Sequence, residues 1–312
     1  MAPPTTHPVF HPTAQLDAAP PDLVLTSANR VVFHVHHCCL LAASTNHFAF
    51  LLDPPVEAIV ALPESSQLIS VMLHAIYNRP IGSPRPTSAV LIASLDTLKK
   101  YGIPLDRYVC ANTPLFTALA TLAQSRAIEL YTLAAENDLY DLAAAASSYL
   151  ISYNLSSITD EIAVRMGSLY LKKLFVLHSR RTKVVRGLLL TPPATHAPTR
   201  TCGADNQLRL LRHWDLATAS LQTRACPSEL SIIRALRAEF DPPLLRIGTS
   251  VGSLRSIISI IEPLLTCRDC KATLNARVRQ MVVEWEETPV KCVSRFYVLY
   301  AHSMPRCLQR TI

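Results

Sequence analysis

Hydrophobic and polar positions alternate near the start of the chain and then change to a helical spacing. Within DLVLTSANRVVFHVH, residues 22–36, alternate positions are apolar on each side of the turn-like segment SANR. These positions are Leu23, Leu25, Val31, Phe33 and Val35. A period of two is typical of half-buried strands, so the pattern predicts a two-stranded hairpin. The next segment, HCCLLAAS at 37–44, is rich in alanine and leucine and predicts a helix.

Further elements follow within the first hundred residues. HFAFLLD at 47–53 predicts a second short helix, ended by two prolines that cannot continue it. EAIVALP at 57–63 predicts a short strand, and SSQLISVMLHAIYN at 65–78 has apolar residues at helical spacing. SAVLIASLDTLKKYGIP predicts a helix from about 88 to 101, ended by a glycine and a proline. Strands followed by helices predict an α+β fold.

The remaining segments differ from this region in composition. Residues 1–21 are rich in proline and are expected to be a disordered extension. Residues 113–190 carry several helical patterns, and 191–206, TPPATHAPTRTCGADN, has the composition of a linker. The helical spacing returns in 207–312. We therefore expect a mixed domain over 22–112, followed by two helical regions separated by a linker.

Four segments in this order resemble a BTB/POZ domain over residues 22–112. They are the start DLVLTS, the strand-to-helix motif VVFHVHHCCLLAASTNHF, the segment VALPESSQLISVMLHAIYNRPI and the last predicted helix. The motif positions of the family are filled by Phe33, Val35, His36, Leu40, Ser44 and Phe48. The resemblance implies a small sheet flanked by helices. The helices that follow, from AIELYTLAAENDLYDLAAAASSYLI onward, are similar to the BACK-like extension in a large group of fungal BTB proteins.

The resemblance also implies a dimer face with a charged pocket. Asp22 fills the acidic position of that pocket, whereas His37 stands where the family usually has lysine or arginine. Histidine is mostly neutral at pH 7, so we expect a weaker and pH-sensitive pocket. The segment STNHF also lacks the proline and aromatic residue usual after the serine.

Histidines and cysteines are concentrated in the strand-to-helix motif. They are His34, His36, His37, Cys38, Cys39 and His47. A zinc site needs four converging ligands, whereas adjacent cysteines diverge on a helix. In the BTB interpretation His36 packs at the strand-to-helix joint and Cys39 lies in a buried position. We therefore interpret these side chains as structural, contributing packing and hydrogen bonds, and we assign no metal to the cluster.

One CxxC motif is present, at Cys267 and Cys270. It is half of a zinc site, and Cys292, His302 and Cys307 are candidates for the other ligands. A redox role would need a thioredoxin-like setting, which the helical context does not provide. The context favours buried thiols at a helix–helix contact, so no metal or cofactor is assigned, and zinc is left as an alternative.

Charge is distributed unevenly along the chain. The net charge is +7, but residues 1–155 hold 7 Lys/Arg against 11 Asp/Glu, and residues 156–312 hold 23 against 12. The segment KKLFVLHSRRTKVVR, 172–186, carries six cations: Lys172, Lys173, Arg180, Arg181, Lys183 and Arg186. A nuclear-import or nucleic-acid role is an alternative, but no recognition motif accompanies the cations, and a solvated helix face is favoured.

Glycine is scarce, with seven residues, and phosphate-loop, nucleophile-elbow and zinc-protease motifs are absent from the sequence. No paired nucleophile and base stand out, so an enzyme is not expected. An export signal and a long apolar run are also lacking, and nine cysteines then indicate reduced thiols. We expect an intracellular protein, in the cytoplasm or the nucleus, that does not span a membrane.

The sequence therefore predicts a non-enzymatic protein-interaction module that binds itself or another protein. One alternative is a substrate adaptor of a cullin-type ubiquitin ligase. The family's hydrophobic-x-Glu contact is incomplete, because Pro55 stands two residues before Glu57. The other alternative is a DNA-associated regulator that uses the basic second half, which would bind DNA with strong salt dependence.

Overall fold

The computed structural model describes residues 5–53, 58–82, 85–224, 259 and 261–287. They belong to two compact units, the first within residues 1–146 and the second within 147–296. The chain is mixed α+β and mostly helical, so the α+β class expected from the sequence is confirmed.

The first unit contains a four-stranded sheet with the strand order β1-β3-β2-β4. Its strands are β1 (Thr5–Thr6), β2 (Leu23–Thr26), β3 (Val31–Val35) and β4 (Ile59–Ala61). Strands β2 and β3 form the antiparallel hairpin that the alternation predicts, while β1 and β4 pair in parallel with β3 and β2. The alternation also sets the buried face, where every second residue of the hairpin packs into the core.

The structure differs from the expectation of a disordered extension over residues 1–21. Strand β1 joins the sheet, and the backbone N–H of His34 donates to the carbonyl of Phe10 at 2.9 Å. Phe10 is fully buried, and the ring of His7 stacks on Phe33 with centroids 4.8 Å apart. An apolar ring that fits a core outweighs the local preference of a proline-rich segment for disorder.

The described residues of this unit also form seven helices. They are α1 (His37–Ala43), α2 (Ser66–Ile76), α3 (Ser88–Lys100), α4 (Leu105–Tyr108), α5 (Pro114–Ala120), α6 (Ala123–Glu136) and α7 (Tyr140–Ser147), whose last residue belongs to the second unit. Thr87 caps α3 by accepting from the N–H of Val90, and Gly102 follows its end with φ of +67°. Glycine is suited to that left-handed position, as the sequence predicts.

The prediction of a second short helix at 47–53 is wrong. The segment forms turns, and His47, Phe48, Ala49 and Phe50 all have φ between 50° and 62°. The hydroxyl of Ser44 accepts from the N–H of Phe48 at 2.7 Å. Side chains that bond to nearby backbone N–H groups compete with a right-handed helix, which explains the different conformation.

The part of the second unit that the structure describes contains three long helices. They are α8 (Asp160–Leu190), α9 (Ala204–Arg224) and α10 (Arg268–Glu286), with 3₁₀ turns at Leu155–Ser157 and Glu262–Leu264. Helix α8 is interrupted at Gly167, where φ is +68°. The core of the unit collects apolar side chains from all three helices, among them Leu189, Trp214, Leu274, Met281 and Trp285.

The boundary between the two units lies at residues 146 and 147, whereas the sequence composition predicted boundaries after residue 112 and at the linker 191–206. Helices α5 and α6 belong to the first unit, whereas α8 packs with α9 and α10 in the second. Residues 191–203 do more than link two helical regions, because Cys202 is fully buried in the core of the second unit. Part of the helical region expected over 207–312 lies outside the described residues, namely 225–258, 260 and 288–312. In the described part of the chain, no helix combines the length and apolarity needed to cross a membrane.

Candidate functional site

The strand-to-helix joint of the first unit is fixed by His36. Its ring Nε2 lies 2.9 Å from the carbonyl of Ala19, and its Nδ1 lies 2.9 Å from the hydroxyl of Tyr77. A carbonyl only accepts, so Nε2 carries the proton and Nδ1 accepts from the tyrosine. The same hydroxyl oxygen accepts from the backbone N–H of His36 at 2.8 Å. Both ring nitrogens are therefore engaged in hydrogen bonds within the fold.

The other motif residues expected from the resemblance lie in or against the core. Phe33, Val35, Leu40 and Phe48 are fully buried. Ser44 donates from its hydroxyl to the carbonyl of Tyr101 at 2.7 Å, and the rings of Phe48 and Tyr101 stack with centroids 4.4 Å apart. These side chains hold the helix and the turn after it in place, and they do not form a reactive site.

The predicted charged pair is arranged in an unexpected way. The carboxylate of Asp22 accepts from the backbone N–H of His37 at 2.7 Å, at the first residue of α1. The carboxylate thus caps the positive end of the helix, where negative charge is stabilising. The Nε2 atom of His37 is shielded from solvent and has no hydrogen-bond partner among the described residues. Asp22 and His37 are neighbours, but through the backbone and not as a side-chain ion pair.

Three side chains of this region lie close together, but hydrogen bonds within the fold already use their donor atoms. Asp17, His36 and Cys39 bring donor atoms within 4.8 Å of one another. The thiol of Cys39, however, donates to Asp17 at 3.3 Å, and both ring nitrogens of His36 already have partners. Cys38 is exposed. The structure offers no free ligand set here.

A cluster of four potential metal ligands lies in the second unit, around the CxxC motif. The side-chain donor atoms of His196, Cys202, Cys267 and Cys270 all lie within 4.8 Å of one another. The sequence pointed to Cys267 and Cys270 but missed the two partners, because His196 and Cys202 belong to the segment interpreted as a linker. The candidates chosen from the sequence, Cys292, His302 and Cys307, lie outside the described residues.

Local structure places each member of the cluster. Cys267 is the N-cap residue of α10, and Cys270 lies in the first turn of that helix. Cys202 ends a tight turn closed by two backbone hydrogen bonds with Thr199, of 2.9 and 3.2 Å. Helix α9 begins two residues later. The cluster therefore joins the approach to α9 with the start of α10.

The distances within the cluster are short. The Nε2 atom of His196 lies 3.3 Å from the sulfur of Cys270 and 3.5 Å from that of Cys267, and the sulfurs of Cys202 and Cys270 are 3.6 Å apart. The Nδ1 atom of His196 donates to the carbonyl of Ala197 at 2.7 Å. With the proton on Nδ1, the lone pair of Nε2 points toward the sulfurs.

The thiols are electrostatically unequal. Backbone N–H groups, first that of Cys270 and then that of Asp269, donate to the sulfur of Cys267 and lower its pKa to about 7 against the opposing effect of burial. Burial and the neighbouring thiols of Cys202 and Cys267 raise the pKa of Cys270 to about 12. The hydrogen bond to Ala197 raises the pKa of His196, with a further contribution from Cys267. Burial likewise raises the pKa of Cys202, so the site combines one readily formed thiolate, at Cys267, with two thiols whose pKa is raised.

The basic segment 172–186 is not a uniform solvated face. Arg181 is buried, and its guanidinium lies 3.9 Å from the ring centroid of Trp285. A guanidinium over an indole is a favourable cation–π contact. At least one of the six cations is therefore part of the core of the second unit.

Comparison with known proteins gives no relative for this chain. No protein-family model matches it, and searches of curated proteins and of solved structures find no match.

Proposed function

We propose that the first unit is a BTB-like protein-interaction module that associates with a second copy of the chain. The surface we assign to this contact, the α1 face, consists of Leu41 on α1 and of Phe50 and Leu51 in the turn that follows. The mechanism is the burial of apolar side chains at an interface surrounded by polar groups.

The exposure of these three side chains carries the proposal. Phe50 is 72% exposed, Leu51 40% and Leu41 37%, although the turn that holds Phe50 and Leu51 also contains the buried Phe48. Exposed apolar residues are ordinary when scattered singly, but a concentration of them indicates an interaction site. Aromatic residues are enriched at the centre of interfaces.

Polar groups lie next to these side chains. His47 and Asp53, at the two ends of the turn, are joined by an exposed contact of 2.5 Å between Nδ1 and Oδ1. Asp22 lies at the start of α1 and is also exposed. Charged groups at the rim of an interface select the partner and contribute little to the affinity.

The mass of the full chain in solution, measured by light scattering at tens of micromolar, tests this proposal. We expect a dimer for the unchanged chain and a monomer for Phe50→Glu, because a charge buried without a partner opposes association. Val164→Glu is the matched control. Val164 is 81% exposed and lies in the second unit, so this variant should remain a dimer.

A monomeric unchanged chain would contradict self-association. The α1 face would then be expected to bind a different protein. A dimer that persists in Phe50→Glu would place the contact elsewhere on the molecule. The cullin-adaptor alternative gains no support from the described residues, because Pro55 and Glu57 lie outside them.

A further inference from the structure

We propose that His196, Cys202, Cys267 and Cys270 bind one zinc ion, which stabilises the second unit. The proposal is independent of the α1 face. It depends on the geometry of the four donor atoms, on their chemical type and on the groups that orient them.

The spacing of the donor atoms fits a single tetrahedral ion. Zinc binds sulfur at about 2.3 Å and histidine nitrogen at about 2.0 Å, and the edges of such a tetrahedron are about 3.5 to 3.8 Å long. Three of the six distances between donor atoms in the cluster are 3.3, 3.5 and 3.6 Å. The other three distances are within 4.8 Å, so small side-chain movements would bring all four donor atoms to the spacing that one zinc ion needs.

The donor types also select zinc. Three cysteines and one histidine form one of the closed ligand sets of structural zinc sites. A catalytic zinc usually keeps one position for water, whereas here protein atoms fill all four positions. A cluster of two irons would need two separated pairs of ligands, and these four atoms converge within 4.8 Å. The arrangement therefore indicates a structural site for a single ion.

Neighbouring groups prepare the ligands for a metal. Backbone N–H groups of Asp269 and Cys270 donate to the sulfur of Cys267, at the positive end of α10. Such donors stabilise a thiolate. The Nδ1–H of His196 is held by the carbonyl of Ala197, which leaves Nε2 as the ligand atom. A hydrogen bond from the second nitrogen is the usual way in which a protein orients a metal-bound histidine.

The backbone of the histidine is fixed as well. Gln207, in the first turns of α9, donates from its side-chain nitrogen to the carbonyl of His196 at 2.7 Å. Gln207 is itself mostly buried, so this contact is part of the packed structure. Helix α9 therefore supports the ligand that the segment before it supplies.

The position of the site explains its role. Cys202 and Cys270 are buried members of the same core as Trp214 and Leu274. An ion at this point ties the segment before α9 to the first turn of α10, which are distant in the sequence. A metal that cross-links such segments contributes directly to the free energy of folding.

Metal content of the full chain provides the first test. The chain is purified under a phosphine reductant and without chelator, and its zinc, iron and copper are measured by elemental mass spectrometry. We expect about one zinc per chain, because all four positions are protein ligands. The double variant Cys267→Ser, Cys270→Ser should lose the zinc, and the exposed Cys38→Ser should keep it.

Substitution by Co²⁺ reports the ligands even where a variant folds poorly. The unchanged chain should give the intense visible bands of tetrahedral cobalt and thiolate charge-transfer absorption in the near ultraviolet. His196→Ala should alter the visible bands, whereas His196→Cys should restore tight binding with a spectrum typical of four thiolates. Cys202→Ser should lower the charge-transfer absorption by about a third, because one of three thiolates is lost.

The results that overturn the proposal are distinct. A reduced chain with neither zinc nor tetrahedral cobalt bands shows that the four side chains are only packed together. Stoichiometric iron in place of zinc shows a different cofactor. Zinc that is retained in both His196→Ala and Cys202→Ser shows that other residues are the ligands.

Discussion

The hydroxyl of Tyr77 lies between the backbone N–H of His36, at 2.8 Å, and the ring Nδ1 of the same residue, at 2.9 Å. Tyr77 follows the last residue of α2, and His36 precedes the first residue of α1. One hydroxyl group therefore fixes the point at which strand β3 turns into α1. The exposed turn of the α1 face continues from this helix, so its position depends on the same contact.

Replacement of Tyr77 by phenylalanine should destabilise the first unit by about 1 to 3 kcal/mol, because two buried polar atoms of His36 lose their partner. The measurement is urea unfolding followed by far-ultraviolet circular dichroism. Tyr149→Phe removes a hydroxyl from a half-exposed ring and should change the free energy of unfolding little. Equal losses in both variants would show that the hydroxyl of Tyr77 has no special role.

The contact between α3 and Glu64 predicts a loss of stability in acid. Burial raises the pKa of the Glu64 carboxyl, but hydrogen bonds from Lys100 and Tyr101 outweigh it, so the pKa lies below its ordinary value of 4.5. A carboxyl with a depressed pKa stabilises the fold above that ordinary value and loses its contribution as the pH falls through the folded-state pKa. Unfolding measured from pH 6 down to about pH 3 should show this loss.

Glu64→Gln should flatten that dependence, since the amide does not titrate. Glu161→Gln alters an exposed carboxylate in the first turn of α8 and should leave the dependence unchanged. An unaltered acid slope in Glu64→Gln would mean that other carboxyls produce it.

A methyl group at Gly102 should be poorly tolerated. Gly102 has φ of +67°, and a Cβ there would lie 2.8 Å from the backbone nitrogen of Asn46. We expect Gly102→Ala to cost about 2 kcal/mol or more, because the strain of a left-handed residue adds to a clash with backbone. Gly82→Ala is the control, since its Cβ would meet nothing within 4 Å. Denaturant midpoints that shift equally for the two variants would contradict this account.

Arg277 links α10 to the end of α8. It donates from Nη2 to the carbonyl of Leu188 at 2.9 Å and from Nε to that of Thr191 at 3.0 Å. Arg277→Met keeps the aliphatic stem but leaves these carbonyls without their donor, so the second unit should lose about 3 kcal/mol. Both tryptophans of the chain, Trp214 and Trp285, lie in this unit, so tryptophan fluorescence follows its unfolding.

Arg279→Met provides the matched comparison, because Arg279 is exposed on the same helix two residues further on. Its unfolding midpoint should stay close to that of the unchanged chain. If Arg279→Met lowers the midpoint as much as Arg277→Met, the loss of a positive charge explains the destabilisation, and the hydrogen bonds to Leu188 and Thr191 do not.

Local patterns in the sequence predicted the elements that depend on local physics. The alternation over 22–36 gave the hairpin, and the glycine and proline after residue 101 gave the end of α3. The side-chain hydrogen bonds of Ser44, which replace a helix at 47–53 by left-handed turns, leave no mark on hydrophobic periodicity. Buried aromatic contacts such as that of Phe10 also depend on partners distant in the sequence.

The candidate metal centre also combines a local sequence motif with contacts between residues that are distant in the sequence. The CxxC motif was visible because its two cysteines are close in the sequence. His196 and Cys202 are separated from Cys267 by more than sixty residues, and only the packing of three helices brings them together. A histidine and a cysteine in a proline-rich segment, together with a later CxxC, are the one signal that could have indicated the pairing. The BTB resemblance remains a prediction.

The order of strands in the first unit has a consequence for aggregation. At the two edges of the described sheet lie β1 and β4, which are two and three residues long. Strands this short offer few free backbone groups to a neighbouring chain, which is one way in which proteins avoid uncontrolled edge-to-edge growth. An expression boundary placed at residue 22 would remove β1 and uncover the longer β3. We expect such a shortened chain to form β-rich aggregates, so that a minimal functional fragment must begin at or before residue 5.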